Sequence, residues 1–564
     1  MKNFFSLVRE PIIWARTVVP LEKRNRFVVY FFILLATCLD NLNSATAFTL
    51  QGNIQQAFNT DSSTASWVLS GYALTLGSFI MVSGKISDVI GPHNLYLGGL
   101  AVIWICALIC ACIPSSTVIT LIVFRAIQGV GASALVPSTL AIAANYFSGP
   151  YAKYLPGAVV GFILALTGIF GVALILGGAF SETSIGYKSY FYFVFAYGLV
   201  MNIILLFLII PIEKTEEHKK MKLKNIDFIG SALIIIGILL MILGLTEGGD
   251  NWKKPKAYVP LVVGFFTFLS SFFFEMFYLK RFQEKNKHRD KSEDWRLQID
   301  LIFPPEIIHI PNFLPILITC GMYFATFTMV TAIGVLYYGS IEGDSPIIVA
   351  LKVASISAGV IFGATTYRQS YYSKIGVRNM FIISAAVSLG TCIWFSRTNF
   401  HSHKSYWKFG FVSLFLYGYA LNVFFNIYIS VVVSNTPLHL QGVVNGVYQT
   451  CSQVCLSVGN ALVPSIVGNV VPATTEEMKQ HLHNKFQNIF YVLMGFHVVI
   501  LIVMILFVRG PKKLEETDAE AEVKTEDKMV FDDVEKGYDG NSLEKEEEGH
   551  CAAISLHGDS STTN

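Results

Sequence analysis

The sequence alternates between long apolar stretches and short polar segments over most of its length. An apolar stretch of about 20 residues can cross the hydrocarbon core of a bilayer as an α-helix, and the pattern predicts fourteen such spans. The predicted spans lie near residues 27–48, 65–86, 94–113, 118–140, 155–179, 190–211, 228–246, 258–279, 312–337, 347–366, 378–396, 407–434, 441–466 and 488–508. The predicted fold class is therefore an all-α polytopic membrane protein, integral to the bilayer.

The positive charges predict how these spans are oriented. Hydrophobic residues make up 53% of the chain and charged residues only 14%, so the position of each charge is informative. The first 26 residues hold six Lys and Arg side chains, the 212–226 loop holds five and the 280–311 loop holds seven. Cytoplasmic loops carry such an excess, although the lysines within 253–256 run against the trend. These loops are therefore predicted to be cytoplasmic, as are both termini, because the number of spans is even.

The order of spans and charged loops predicts five segments. They are a cytoplasmic N-terminal segment (1–26), an N-terminal six-helix bundle (27–211), a two-span insertion with its flanking cytoplasmic loops (212–311), a C-terminal six-helix bundle (312–508) and a cytoplasmic tail (509–564). The tail is acidic and poor in aromatic residues, a composition typical of disorder. Duplicated halves are common in secondary transporters, whose substrate site lies near mid-membrane between them.

Arg125 places a guanidinium within the fourth predicted span. A charge at the bilayer centre costs about 2.5–3.5 kcal/mol on insertion scales, so such a residue normally faces a bundle interior or a water-filled cavity. Gln128 lies three residues further on and shares its helical face, while Gly129 and Gly131 permit close helix packing. The pattern predicts a packed helix with one polar patch turned inward.

Polar side chains in three other spans are candidates for lining a transport pathway. Asp40 and Asn43 share one face of the first span, and a desolvated carboxylate at that depth can take up and release a proton. Helix capping or interhelical hydrogen bonding is the alternative role for Asp40. Amides in the twelfth and thirteenth spans are predicted either to line a cavity or to join helices by hydrogen bonds. These amides are Asn422, Asn426, Asn445 and Gln449.

Motifs for nucleotide hydrolysis, zinc-dependent hydrolysis and acyl transfer are absent from the sequence. Gly84-Lys85 is followed by Ile86, where a phosphate-binding loop needs Ser or Thr, and no glycine lies five residues before Gly84. Neither His-Glu-x-x-His nor Gly-x-Ser-x-Gly occurs. We therefore predict that the protein is not an enzyme, uses no cofactor or metal and binds no nucleic acid.

Two motifs resemble signatures of the major facilitator superfamily. The first is Arg125-Ala-Ile-Gln-Gly-Val-Gly131 in span 4, and the second is Gly84-x-x-x-Asp88-x-x-Gly91 between spans 2 and 3. Fourteen spans and an acidic residue in span 1 are similar to the fourteen-span drug:proton antiporter family within it. The segments around span 7 that carry this likeness are Asp227-Phe-Ile-Gly230, Gly244-Leu-Thr-Glu-Gly248 and Trp252.

Within that family, the chain most resembles fungal proteins of the aminotriazole-resistance, boron-export and low-affinity ammonium permease subgroup. The segments that carry this likeness are Tyr406-Trp-Lys-Phe and Gln441-Gly-Val-Val-Asn-Gly446. The resemblance implies two six-helix bundles plus two extra helices, working by alternating access to a central cavity. It assigns Arg125 and Asp40 to proton transfer, with Asn43 and Gln128 beside them. It also assigns a conformational latch between the bundles to Gly84, Asp88 and Gly91.

The predicted function is secondary active transport of a small molecule, with proton-coupled export of a xenobiotic or a small inorganic solute as the leading form. In span 5, the Gly-Pro of the antiporter motif is replaced by Ala165-Leu166 or, in the alternative register, by Ala173-Leu174, so no proline kink is predicted in either case. That departure keeps open a uniporter or facilitator for a solute such as ammonium or borate. The tail and the 280–311 loop keep open a transporter-like nutrient sensor.

The predicted partners are a small-molecule substrate, protons and the lipid bilayer. We expect the protein to act as a monomer in the plasma membrane, with a vacuolar membrane as the alternative location.

Overall fold

The computed structural model describes residues 16–508 apart from residues 61, 115–116, 213–226, 287, 289–293, 300, 302–304, 369–373, 402–403, 437–440, 468–472 and 474. In this part of the chain, fourteen long helices follow one another and no β-strand is present. In chain order they are α1 (Arg26–Phe58), α2 (Ser62–Ile90), α3 (Pro92–Cys112), α4 (Val118–Tyr146), α5 (Gly149–Ser181), α6 (Tyr187–Leu208), α7 (Phe228–Asp250), α8 (Pro255–Lys285), α9 (Phe313–Glu342), α10 (Pro346–Thr366), α11 (Val377–Phe395), α12 (Val412–Asn435), α13 (Gln441–Val467) and α14 (Glu476–Phe507).

Thirteen helices within the described residues are long and apolar enough to cross a membrane, and the chain is a multi-pass membrane protein. The remaining long helix is α2, which carries many Ser, Thr and Gly residues and is not among the thirteen. Its 29 residues extend about 43 Å, which exceeds the hydrocarbon thickness of about 30 Å. The all-α membrane fold is confirmed, while the count of fourteen spans stays a prediction.

Several helices extend beyond the apolar stretches that predicted them. The first predicted span ended at residue 48, whereas α1 continues to Phe58 and ends at Asn59, whose φ of 46° is left-handed. Three glutamines in these last turns favour a helix but are too polar to be counted in a membrane span. The fourteenth helix likewise begins at Glu476 rather than near residue 488, with Thr475 as its N-cap. The apolar pattern therefore predicted where the apolar parts of these helices lie, but not how far their polar ends extend.

A single residue joins α2 to α3. Gly91 adopts a φ of 93°, a conformation that glycine reaches without a steric penalty. Pro92 follows in the first turn of α3. Proline lacks a backbone N–H, but N–H groups in the first turn have no acceptor within the helix, so no helical hydrogen bond is lost. The predicted loop between these two spans is therefore a one-residue turn.

The helices pack as two groups joined along two seams. Within α1–α6, α2 packs on α4, and α3 packs on α4 and α6; within α9–α14, α9 packs on α13 and α14, and α12 packs on α10 and α11. Among the described residues, α5 with α10 and α2 with α13 make the most extensive contacts between the groups, and α5 with α12 and α4 with α13 add smaller ones. The inserted helices α7 and α8 form a hairpin, and α7 contacts both α2 and α13. The predicted segment boundaries stay a prediction, and the 509–564 tail lies outside the described residues.

Candidate functional site

A cavity lies between the two groups of helices, and the empty space between its lining atoms is about 1070 Å³, including the part that is open to solvent. Its wall is formed by α1, α2, α4 and α5 on one side and by α9, α12 and α13 on the other. Most of the lining is apolar, and it includes the rings of Phe170, Phe324, Phe327 and Phe425. The polar lining side chains are Asp40, Asn41, Ser44, Thr167, Thr328, Thr331, Tyr428, Gln449, Gln453 and Asn460.

Asp40 is the one carboxylate among the described residues that line this cavity, and no Lys, Arg or His lies beside it on the wall. Its side chain is 5% exposed. The hydroxyl of Tyr72 on α2 donates a hydrogen bond to Asp40 Oδ1 at 2.5 Å. Hydrogen bonds from a hydroxyl to an ionised carboxylate are short and stronger than neutral ones. The carboxylate is therefore held by α2 at the surface of the cavity.

Arg125 does not line the cavity but lies in the packed interior of the first helix group, where it is 1% exposed. Its Nε donates to the Val68 carbonyl at 3.0 Å, and one Nη donates to Gln128 Oε1 at 2.8 Å and to Asn43 Oδ1 at 3.2 Å. The other Nη donates to the Asn43 carbonyl at 3.0 Å. The acceptors belong to α1, α2 and α4, so one guanidinium joins three helices.

The charge of Arg125 is stabilised by neutral groups rather than by a direct ion pair. Each of its four acceptors is an uncharged carbonyl or amide oxygen, and the Tyr72 ring lies 4.5 Å from its guanidinium carbon. A cation over an aromatic face gains about 0.5–2 kcal/mol. Tyr72 therefore contacts Arg125 with its ring and Asp40 with its hydroxyl. We refer to Asp40, Tyr72 and Arg125 as the charged cluster.

The structure brings the four residues of the predicted coupling site together. Asn43 and Gln128 are fully buried and hold Arg125 in place. Gln128 uses its amide nitrogen to donate to the Ile103 carbonyl at 3.1 Å. Tyr190 on α6 adds a hydrogen bond to Asn43 Oδ1 at 3.3 Å. Asp40 is the member of the predicted set that reaches the cavity.

The residues of the predicted latch lie apart from this cluster. Gly84 and Asp88 are within α2, which continues to Ile90, and Gly91 forms the turn into α3. The side chain of Asp88 lies outside the described residues. Their role as a latch stays a prediction.

The predicted cavity amides occupy two different positions. Gln449 lines the cavity, whereas Asn422, Asn426 and Asn445 are not among its lining residues. Asn426 donates a hydrogen bond to Asn422 Oδ1 at 2.9 Å, and both side chains are buried in the second helix group.

More residues of α13 line the cavity than the two predicted amides of this helix, Asn445 and Gln449, indicated. Gln449, Gln453, Leu456 and Asn460 all line the cavity. Their spacing of four, three and four residues is that of one helical face. Extending this spacing from Gln449 would have located Gln453 and Asn460 from the sequence. No comparable sequence signal pointed to Tyr72.

Helix α5 is irregular where it reaches the cavity. Residues Leu164–Gly168 form a π-helical turn, and Leu166 and Thr167 of this turn line the cavity. A π turn interrupts the regular hydrogen-bond ladder and bends a helix, as proline does. The proline of the antiporter motif is missing, but the helix is distorted at Leu164–Gly168, which includes the Ala165-Leu166 position of the motif.

Fold and site together define a polytopic membrane protein with two helix groups around a central cavity and one carboxylate on its wall. The chain belongs to the major facilitator superfamily, since the family model of that description matches residues 32–460. The predicted superfamily is confirmed.

Known proteins similar to this chain include resistance proteins from a bacterium and a yeast. Multidrug resistance protein 3 of Bacillus subtilis is 25% identical over 382 residues, which cover 65% of each chain. The aminotriazole resistance protein of Saccharomyces cerevisiae is 23% identical over 244 residues, or 42% of this chain and 44% of that protein. The matches thus span less than two thirds of these relatives. The crystal structure of a nucleoside transporter, 12% identical, covers 86% of this chain and all of its own with a TM-score of 0.53, which shows a shared fold.

Proposed function

We propose that this protein is a secondary transporter that exports amphipathic organic molecules, neutral or singly cationic, in exchange for protons. The observation that carries the proposal is the position of Asp40, which lines the cavity and is joined through Tyr72 to Arg125. The similarity to proteins named for multidrug and aminotriazole resistance supports export.

Exchange follows from the charge balance of the cluster. With Asp40 ionised, its negative charge and the positive charge of Arg125 cancel; with Asp40 protonated, the cluster carries one positive charge. A cationic substrate is attracted to the ionised carboxylate and is repelled once a proton has replaced it. Proton binding and substrate binding at one carboxylate are therefore mutually exclusive. For a neutral substrate exchanged one for one, a proton moving down 100 mV releases about 2.3 kcal/mol, which supports a concentration gradient of roughly fiftyfold. Exchange of a proton for a monocation moves no net charge, so the pH difference alone drives it.

The cavity favours an organic substrate over a small inorganic one. Pockets for drug-sized ligands enclose about 300–1,000 Å³ behind mainly apolar walls with a few polar groups. The cavity described above has this kind of lining, whereas ammonium or borate needs more hydrogen-bonding groups. The π turn in α5 also weakens the reason for a passive facilitator, which was the missing helix distortion.

The proposal is tested with the purified full-length chain in proteoliposomes under an imposed pH gradient. We expect the gradient to drive concentrative movement of ethidium, an aromatic monocation, but not of ammonium or borate. Asp40→Asn should abolish the gradient-driven component. The control is Asp227→Asn, since Asp227 is also fully buried but lies at the N-cap of α7, where Asn serves equally well. Ethidium flux that only dissipates its own gradient, or undiminished coupling in Asp40→Asn, would contradict the proposal.

A further inference from the structure

The inserted helices α7 and α8 are packed into one unit through glycines. Gly230, Gly237 and Gly244 recur every seven residues. A Cβ atom at Gly237 would lie 2.6 Å from the Phe268 backbone nitrogen, and one at Gly244 would lie 2.5 Å from that of Leu261. Small residues allow helix backbones to approach this closely in a membrane. The hairpin therefore moves as one body.

A neighbouring face of α7 rests on the seam between α2 and α13. Ile234, Ile238 and Ile242 are buried there in one cluster with Met81 of α2, and Val447 and Val454 of α13 pack against it. The seam itself is tight, because a Cβ atom at Gly77 of α2 would lie 2.8 Å from Cβ of Gln453. Gln453 also lines the cavity. The hairpin thus covers one wall of the cavity from the outside.

Two tryptophans tie the end of the hairpin to both helix groups. Trp67 of α2 donates from Nε1 to Glu247 Oε1 of α7 at 3.2 Å. Trp252, which follows α7, donates from Nε1 to Ser465 Oγ of α13 at 2.9 Å. The Trp252 ring packs directly over Gly248, where a Cβ atom would lie 2.7 Å from it. Since the 212–226 and 280–311 loops at the other end of the hairpin are predicted to be cytoplasmic, this end is predicted to face away from the cytoplasm, although the lysines within 253–256 lie here.

We infer that the hairpin is a latch on the outer end of the α2–α13 seam, and that the Trp67–Glu247 hydrogen bond is the contact that breaks when the seam opens outward. This inference rests on the alternating access of the proposed function. Outward opening moves α2 away from α13 at this end, so α7 cannot keep its contacts with both helices. Helix α7 contacts α13 more extensively than α2, and Trp252 adds a second attachment to α13. The hairpin therefore stays with α13 and releases α2.

The test measures how often the cavity opens to the outside. Leu456 lines the cavity from α13. In a Cys112→Ser background, chosen because Cys112 is an exposed free thiol, Leu456→Cys supplies a thiol that a membrane-impermeant maleimide reaches only through an outward opening. Trp67→Phe keeps an aromatic ring, although a smaller one, and removes the N–H donor. We expect it to raise the labelling rate about fivefold, the effect of one lost hydrogen bond on the closed state. Trp252→Phe is the matched control and should leave the rate within about twofold, because the contact it loses is present in both states.

Two substitutions at Glu247 separate hydrogen bonding from packing and from charge. Glu247→Gln keeps an acceptor oxygen for Trp67 and should label at the reference rate, whereas Glu247→Leu should label as fast as Trp67→Phe. Reference-rate labelling in both Trp67→Phe and Glu247→Leu overturns the inference, and so does an increase in Trp252→Phe in their place. Labelling needs neither substrate nor a pH gradient. A shift in labelling without proton-driven flux would therefore retain the latch while rejecting the proposed function.

Discussion

Tyr72 contacts both Asp40 and Arg125, and Tyr72→Phe removes only the contact with Asp40. The substitution removes the hydroxyl that donates to Asp40 Oδ1 at 2.5 Å. It keeps the ring that lies 4.5 Å from the guanidinium carbon of Arg125, and Phe offers a cation a similar aromatic face. The variant therefore tests the hydrogen bond to the carboxylate alone.

The size of the expected effect follows from burial. A hydrogen bond to a charged group contributes about 1.5–3 kcal/mol, and Asp40 is only 5% exposed, so water compensates little for its loss. Each 1.4 kcal/mol corresponds to about tenfold in a rate or an equilibrium. We expect Tyr72→Phe to slow proton-driven transport by about tenfold or more.

A double-mutant cycle with Asp40→Asn identifies the cause of the loss. If the hydroxyl acts through the carboxylate, Tyr72→Phe should have almost no further effect once Asp40 has been replaced. The measured quantity is the initial rate of ethidium movement in proteoliposomes at one fixed pH gradient, with a downhill exchange assay for the Asp40→Asn background.

Tyr190→Phe is the matched control, since it removes an equally buried hydroxyl that bonds to Asn43 rather than to Asp40. At 3.3 Å to a neutral acceptor, that bond is weaker, and we expect a loss below about threefold. Equal losses in the two tyrosine variants, or a loss from Tyr72→Phe that persists at full size beside Asp40→Asn, would refute the role of the hydrogen bond.

Three further predictions concern stability, measured as the thermal midpoint of the purified protein in detergent. Gly129→Ala places a methyl group against the backbone of α2 and should cost about 1–3 kcal/mol, whereas Gly98→Ala points into open space and should change nothing. Gly91→Ala must adopt a φ of 93° at about 1–2 kcal/mol. The Lys352 ammonium lies 2.5 Å from the carboxylates of Glu342 and Asp344, which are both partly buried. Lys352→Met leaves both carboxylates without their cation and should lower the stability by up to about 3 kcal/mol. Lys352→Arg should retain most of the stability. Unchanged midpoints in the first variant of each set would contradict these reasons.

Helical spacing predicted the polar neighbours of Asp40 and Arg125, because Asn43 shares a helix face with Asp40 and Gln128 shares one with Arg125. Arg125 and Gln128 lie three residues apart and bond to each other at 2.8 Å. Asn43 shares a face with Asp40, and the high cost of an unsatisfied guanidinium implied that polar partners would surround it. Tyr72 was not predictable in this way. It is one of 25 tyrosines, and its contact with Asp40 depends on how α2 packs against α1.

The predicted cavity amides also show what helical spacing cannot predict. Spacing indicates which side chains share a face but not which neighbour that face meets. Asn422 and Asn426 satisfy the pattern for a pathway and bond to each other inside the second helix group, whereas Gln453 and Asn460 of α13 reach the cavity. Which face of a helix meets the cavity is decided by tertiary packing.

Helix α5 shows why a missing motif residue is weak grounds for changing a proposed mechanism. The Gly-Pro of the antiporter motif matters physically because proline removes a backbone hydrogen bond and bends the helix. In this chain, Leu164–Gly168 interrupts the same ladder by a π turn, without proline and beside the same cavity. Helix α5 packs on α10 across the seam, and either a proline kink or a π turn allows it to tilt against α10. The lost proline therefore favours a facilitator only if α5 is straight, and it is not.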